Sequence, residues 1–207
     1  MSVGKETALI YWLGGSTCAG KTTISNILAA KYGFIVYHCD EYLGKHFEKS
    51  NAQEHPNMSM EVSYNDILSM EVEDYLNWSR NVYEEEFKMI LDDLDKLAAS
   101  KPILVEGVNL LPKLIKEEIA AIGHAVWLVA SEAFYTEHQM QRKEMFERLN
   151  ECADPEQALH NYMRDDLAFG NFILNDAKRL DLNVLEVVHD GDILNYVEVI
   201  SSLFNLT

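Results

Sequence analysis

Eight residues from Gly15 to Thr22, GSTCAGKT, satisfy every fixed position of the pattern GxxxxGK[ST]. At ordinary residue frequencies the pattern arises by accident in roughly one in a hundred chains of this length, and the need for a strand before it and a helix after it thins that further. Gly15 and Gly20 let the backbone curl so that successive N–H groups point inward, and the start of the next helix adds its positive end. The result is a cage for a polyphosphate. Ser16, Thr17, Cys18 and Ala19 contribute through their backbone, so small side chains suffice and Cys18 needs no reactive role. Lys21 supplies a mobile full charge for the outer phosphates. The Thr22 hydroxyl is placed to meet a Mg²⁺ ion bridging the same phosphates, and Thr23 completes the cradle.

Such a loop needs a strand to deliver it and a helix to open from it. Ala8 to Leu13, ALIYWL, is a short apolar run closed by Gly14 and Gly15 and reads as a buried strand. In Lys21 to Tyr32, Ile24, Ile27 and Leu28 fall at helical spacing, with Gly33 as C-cap. FIVYHCD gives a second strand ending near Asp40. Glu41 to Met70 shows no sustained period and reads as irregular or short-helical. Glu71 to Ser100 repeats apolar residues at three- and four-residue steps, a long amphipathic helix with room for a break near Trp78 and Ser79.

Further along, ILVEG is a third strand ending at Glu106, Pro112 opens a helix to about Ile122, and HAVWLVAS is a fourth strand. Glu132 to Asn150 reads as one helix. Asp154 followed by Pro155 marks the N-terminus of another, running to about Phe169, with a separate helix from Asn171 to Leu180. NVLEVV is a fifth strand, and a last helix starts at Asp192. Strands alternating with helices imply an α/β fold with a parallel sheet covered on both faces.

The 207 residues suit a single domain, 1–207. Acids outnumber bases by 34 to 17, and a net charge of −17 without any basic run disfavours nucleic acid and anionic membranes as partners. Cys18, Cys39 and Cys152 form no CxxC pair and read as reduced thiols of a cytoplasmic protein. The six apolar residues after Lys5 are too short for a secretory signal, and no segment has the length of a membrane span. The seven histidines show no ligand spacing and read as structural.

With this loop, an Asp closing the second strand and VEG closing the third, the chain resembles the P-loop small-molecule kinases, a superfamily of nucleoside, nucleotide, shikimate and gluconate kinases. The resemblance spans essentially the whole chain as an order of elements. It implies a P-loop NTPase fold with a five-stranded parallel sheet in the order 2-3-1-4-5, a helical lid after the fourth strand, ATP as donor and Mg²⁺. Residues 41–100 become an acceptor-binding insertion with its long helix, and 132–180 the lid region. Other P-loop branches fit poorly: DxxG after the third strand and NKxD after a later one are missing, and ILVEG carries a lone Glu106 where other ATPases have Asp-Glu.

The same resemblance assigns roles. Asp40 becomes the general base toward the acceptor hydroxyl, with Glu41 the second candidate. Glu106 and Asp40 join Thr22 around Mg²⁺, the acids through water. Arg142 and Arg164 sit where such kinases carry lid arginines that neutralise developing charge, with Arg148 and Arg179 as further candidates. A continuous helix would point Arg142 and Arg148 to different faces. Because no arginine precedes Arg80, the resemblance favours a neutral, hydroxyl-bearing acceptor such as a nucleoside or sugar-like molecule. A nucleoside monophosphate acceptor, or a nucleotide-binding module without catalysis, is the alternative. Nothing in the sequence speaks to oligomeric state.

Overall fold

A computed structural model describes residues 9–97, 101–119, 122–188 and 191–206 of the chain. The first apolar run forms β1, Ile10–Gly15, with Gly14 and Gly15 kept inside the ladder. The expected first residue of this strand, Ala8, and the expected last residue of the long helix, Ser100, lie outside the described residues. The other strands are β2 (Ile35–His38), β3 (Ile103–Glu106), β4 (Ala125–Ala130) and β5 (Val184–Val187). All pairings are parallel and the order is β2-β3-β1-β4-β5, so each connection crosses over through helix.

The helices are α1 (Lys21–Tyr32), α2 (Cys39–Lys49), α3 (Tyr64–Leu68), α4 (Val72–Lys96), α5 (Pro112–Glu118), α6 (Glu132–Gln139), α7 (Lys143–Leu149), α8 (Pro155–Arg179) and α9 (Ile193–Leu203). Successive strand residues point to opposite faces, so both sides of the central strands are buried. Trp12, Val105 and Trp127 pack with Phe87 and Ile90 of α4, Ile115 of α5 and Ile173 of α8. Leu13, Leu104 and Leu128 pack with Ile24 and Leu28 of α1 and Ile200 of α9. A small separate core of Leu68, Met145, Leu149 and Ala158 fixes α7 against α3 and α8.

Several boundaries depart from the sequence expectation, each for a local reason. Glu41 to Met70, expected to be irregular or short-helical, holds two short helices, α2 and α3, joined by turns; the buried residues of α2 are Cys39 and His46. His46 is buried through polar pairing, so an apolar count misses the period. The long helix α4 runs through Trp78 and Ser79 unbroken, and α5 stops at Glu118. Conversely, the expected helix from Glu132 breaks at Met140–Arg142 into α6 and α7. The two helices expected on either side of Gly170 are one, α8, capped by Asp154 accepting from the Gln157 amide. Gly170 is a point of close approach: a Cβ there would come within 3.2 Å of Ser16 Cβ.

Candidate active site

Parallel register sets the site. Leu13, two residues before the end of β1, pairs with Glu106 of β3, which pairs in turn with His38 of β2. The loop leaving β1 therefore emerges level with a carboxylate and an imidazole at the carboxyl ends of the neighbouring strands, where open α/β sheets bind ligands. Gly15 closes β1 with φ +132, and a Cβ there would lie 1.9 Å from the Leu128 carbonyl oxygen. Cys18 (φ 61) and Gly20 (φ 77) take left-handed conformations that curl the loop into the N-terminus of α1.

Thr17 to Thr23 line a cleft of about 390 Å³ together with Asp40, Glu106, Val108, Phe134, His138, Arg142 and Ile193. Gly15 and Ser16, though part of the motif, do not line it. Gly15 is buried in the ladder, and Ser16 Oγ accepts from the Ala130 amide at 2.9 Å, which ties the loop to β4. Lys21 Nζ donates to the Ser16 carbonyl at 2.7 Å across the loop. Burial lowers the Lys21 pKa, and the charges of Glu106 and Asp40 pull it back up.

Thr22 Oγ1 donates to Glu106 Oε1 at 3.1 Å, and His38 Nδ1 lies 2.7 Å from the same oxygen. A hydroxyl and a carboxylate this close are hard oxygen donors suited to Mg²⁺. Among the described residues no cluster of three His, Cys, Asp or Glu could hold a metal. A divalent ion here would therefore take most of its ligands from phosphate and water, as Mg²⁺ does in nucleotide sites. His38 was not separable from a structural histidine by spacing; only the register brings it to Glu106.

A larger pocket of about 920 Å³ adjoins the cleft, walled by α2, the α6–α7 turn, α7 and Tyr162 of α8. Asp40 and Arg142 line both cavities. Asp40 is exposed in the first turn of α2, whereas its neighbour Glu41 lines neither. The break between α6 and α7 also places Arg142, Lys143 and Arg148 in one wall of this pocket, which a continuous helix would have prevented. No side-chain hydrogen bond or ion pair within the described residues engages these three cations. Arg164 is not brought to the loop. It donates to Asp165 Oδ1 and to the Met70 carbonyl, both at 2.8 Å, joining α8 to the turn before α4. Arg179 pairs with Asp176 at the far end of α8.

Two buried polar groups hold these walls. His46 on α2 is 1 % exposed, with Nδ1 3.0 Å from Glu86 Oε1 and Nε2 3.2 Å from Asp93 Oδ2, both on α4. Gln139, fully buried at the end of α6, accepts from Cys18 Sγ at 2.9 Å and so ties α6 to the loop.

The strand order, the GxxxxGK[ST] loop between β1 and α1 and the helices after β4 together decide the fold. The chain has a P-loop kinase-like fold. Among solved structures, TT1252 from Thermus thermophilus matches at 15% identity over 98% of this chain and 100% of that one, with a TM-score of 0.55. Deoxyadenosine kinase from M. mycoides with bound dATP matches at 14% identity over 95% and 100% of the two chains, TM-score 0.47. A gluconokinase from Sinorhizobium meliloti 1021 matches at 15% identity over 96% and 92%, TM-score 0.44. No protein-family model and no curated protein matches the sequence. Among the described residues, no helix of this P-loop kinase-like fold is long and apolar enough to cross a membrane.

Proposed function

We propose that the chain is an ATP- and Mg²⁺-dependent small-molecule kinase, with the nucleotide in the loop cleft and the acceptor in the pocket beside it. The observation that carries this reading is the pair Asp40 and Arg142, the two side chains common to both cavities. A carboxylate and a guanidinium at such a junction are what phosphoryl transfer needs: one accepts the acceptor's proton, the other meets charge developing on the transferred group. A module that only bound nucleotide would have no use for the second pocket.

The bound nucleotide supplies the phosphoryl group, and Mg²⁺ neutralises its charge. The loop amides hold the phosphates, and Lys21 moves from the Ser16 carbonyl to the outer phosphates. Thr22 and Glu106 would hold the metal, Glu106 through water, with His38 fixing the orientation of the carboxylate. Phe134 and His138, stacked 3.9 Å apart, form with Ile193 an aromatic and apolar wall that would receive the nucleobase.

For the acceptor, the lid supplies what the segment after β2 lacks. Besides Arg142, this pocket is lined by Lys143 and Arg148, which make no ion pair among the described residues, in a protein of net charge −17; this supports an acceptor bearing both a reactive oxygen and a negative group. A hydroxy acid, a sugar phosphate and a nucleoside monophosphate all fit that description; a neutral nucleoside or sugar leaves Lys143 and Arg148 without use. Three free cysteines, Cys39 fully buried, suit a reducing compartment, and we place the activity in the cytoplasm, away from nucleic acid and membrane.

The test is phosphoryl transfer from MgATP to a panel of nucleosides, nucleoside monophosphates, neutral sugars, sugar acids and hydroxy acids, read by mass of the product. Transfer to a charged acceptor, lost in Lys21→Ala, is the expected result. Nucleotide binding without transfer to any compound would leave the module reading.

A further inference from the structure

Behind the phosphate loop lies a carboxyl group that the transfer chemistry does not use. Asp166 of α8 receives the Tyr135 hydroxyl at 2.9 Å on Oδ2 and the Thr17 hydroxyl at 3.4 Å on Oδ1. Thr17 belongs to the loop, and Tyr135, 2 % exposed, to α6. One carboxyl thus ties the loop to two helices of the lid region. Its surroundings are poor in positive charge. Glu132 and Glu186 line the same cavity of about 240 Å³. The Cys18 thiol of the loop, Tyr64 of α3 and Tyr75 and Tyr83 of α4 lie within range of its charge, and Tyr162 of its own helix donates to it. Arg142 is the cation that stabilises its charge, and Arg142 also lines the nucleotide cleft. Burial pushes the carboxyl up to about 6, against hydrogen bonds from Tyr135, Thr17 and Tyr162.

We propose that Asp166 is a positioning residue of the phosphate loop that takes up a proton when nucleotide binds. Polyphosphate brings negative charge to the far side of Thr17 and draws Arg142 toward itself, so the carboxylate gains a repelling neighbour and loses its counter-charge. Both changes favour the protonated acid. The proton comes from solvent and binds one Asp166 oxygen; the neutral acid still accepts from Tyr135 and Thr17 and gains a donor, so the loop keeps its anchor. Nucleotide affinity then rises as pH falls through this range. The inference rests on the loop cleft being the nucleotide site.

The experiment is calorimetric titration of the intact protein with MgADP at pH 6.5 in buffers of different ionisation enthalpy, repeated from pH 5.5 to 7.5. Wild type is expected to take up about half a proton per nucleotide at pH 6.5, and its affinity to tighten about sixfold between pH 7.5 and 5.5. Asp166→Asn should bind MgADP with neither effect beyond the titration of the nucleotide itself. Tyr135→Phe removes one donor to the carboxylate and should move the pH of maximal uptake upward. Equal proton uptake in wild type and Asp166→Asn overturns the proposal, as does an unmoved maximum in Tyr135→Phe should the asparagine variant fail to fold. Absence of any MgADP binding to wild type overturns the nucleotide-site reading instead, and this inference with it.

Discussion

Thr22 and Glu106, 84 residues apart in sequence, share a hydrogen bond of 3.1 Å at the mouth of the phosphate loop. The contact exists because β1 and β3 are adjacent parallel strands, and β3 ends at Glu106 opposite Leu13, two residues before β1 gives way to the loop. It places a loop hydroxyl beside a strand-end carboxylate, two hard oxygen donors that a single divalent ion could share, and His38 lies 2.7 Å from the same carboxylate oxygen.

Glu106→Gln keeps the shape and the hydrogen bond from Thr22 but removes the charge. The expected result is a rise of about 10–100-fold in the Mg²⁺ concentration needed for half-maximal phosphoryl transfer, by analogy with the loss of groups that orient metal ligands. A magnesium titration of initial rates checks it. An unchanged requirement would remove Glu106 from the metal site.

Asp40→Asn tests the junction. Asp40 is exposed and lines the nucleotide cleft without bonding to the loop, so nucleotide affinity should stay within about twofold of wild type. Turnover should fall by about a hundredfold or more, the contribution of a positioned base. Comparable turnover would pass the role to another group.

Sequence carried the loop-and-strand half of this candidate site and little of the rest. GSTCAGKT is local, so its loop, the preceding strand and α1 could be placed from spacing, and Glu106 followed from the end of an apolar run. The acceptor wall is assembled from distant segments. Arg142 and Arg148 reach one pocket because α6 ends at Gln139, whose amide turns inward to Cys18 and Met145, and no periodicity announces that break. Asp166 meets Thr17 across 149 residues, a contact set by the close approach of α8 at Gly170 rather than by any motif. The bounds of the helix carrying Asp40 were not legible because its buried anchor is His46, a residue that counts as polar in any hydropathy pattern.

That anchor gives a stability prediction. Glu86 is fully buried, accepting from Asn109 Nδ2 at 2.7 Å and facing His46 Nδ1 at 3.0 Å. Burial raises its pKa, and hydrogen bonds from Asn109 and His46 hold it down. Glu86→Ala leaves His46 and Asn109 buried without this partner and should cost about 3–5 kcal/mol. For a domain of this size that lowers Tm by about 10 °C. Thermal unfolding measures it; because α2 carries Asp40, turnover should fall in the same variant below its melting transition.

Asp166 makes stability depend on pH in a definite direction. Its folded value of about 6 lies above the ordinary 3.8, so the folded state binds more protons than the unfolded state across that interval. Stability contributed by this group is therefore highest in acid and falls as pH rises from about 4 to about 6. Urea unfolding of wild type and Asp166→Asn across this range should give curves whose difference grows toward pH 6 and then levels. Parallel curves would mean that the carboxyl titrates alike in both states.

The acceptor pocket offers the sharpest division between substrate classes. Arg148 lines that pocket but not the nucleotide cleft, and it is exposed and unpaired within the described residues, so removing it disturbs neither core nor donor. If it binds an anionic group remote from the reacting oxygen, its contribution is equal in the ground and transition states. Arg148→Ala should then raise KM for the acceptor by about tenfold or more, the value of one charge-assisted hydrogen bond, with kcat within about twofold and KM for MgATP unchanged. Lys143→Ala should act in the same direction and more weakly, because an ammonium cannot grip an anion with two parallel bonds as a guanidinium does. A fall in kcat at constant KM would instead place Arg148 on the transferred phosphoryl group, and no change in either would return the acceptor to the neutral class.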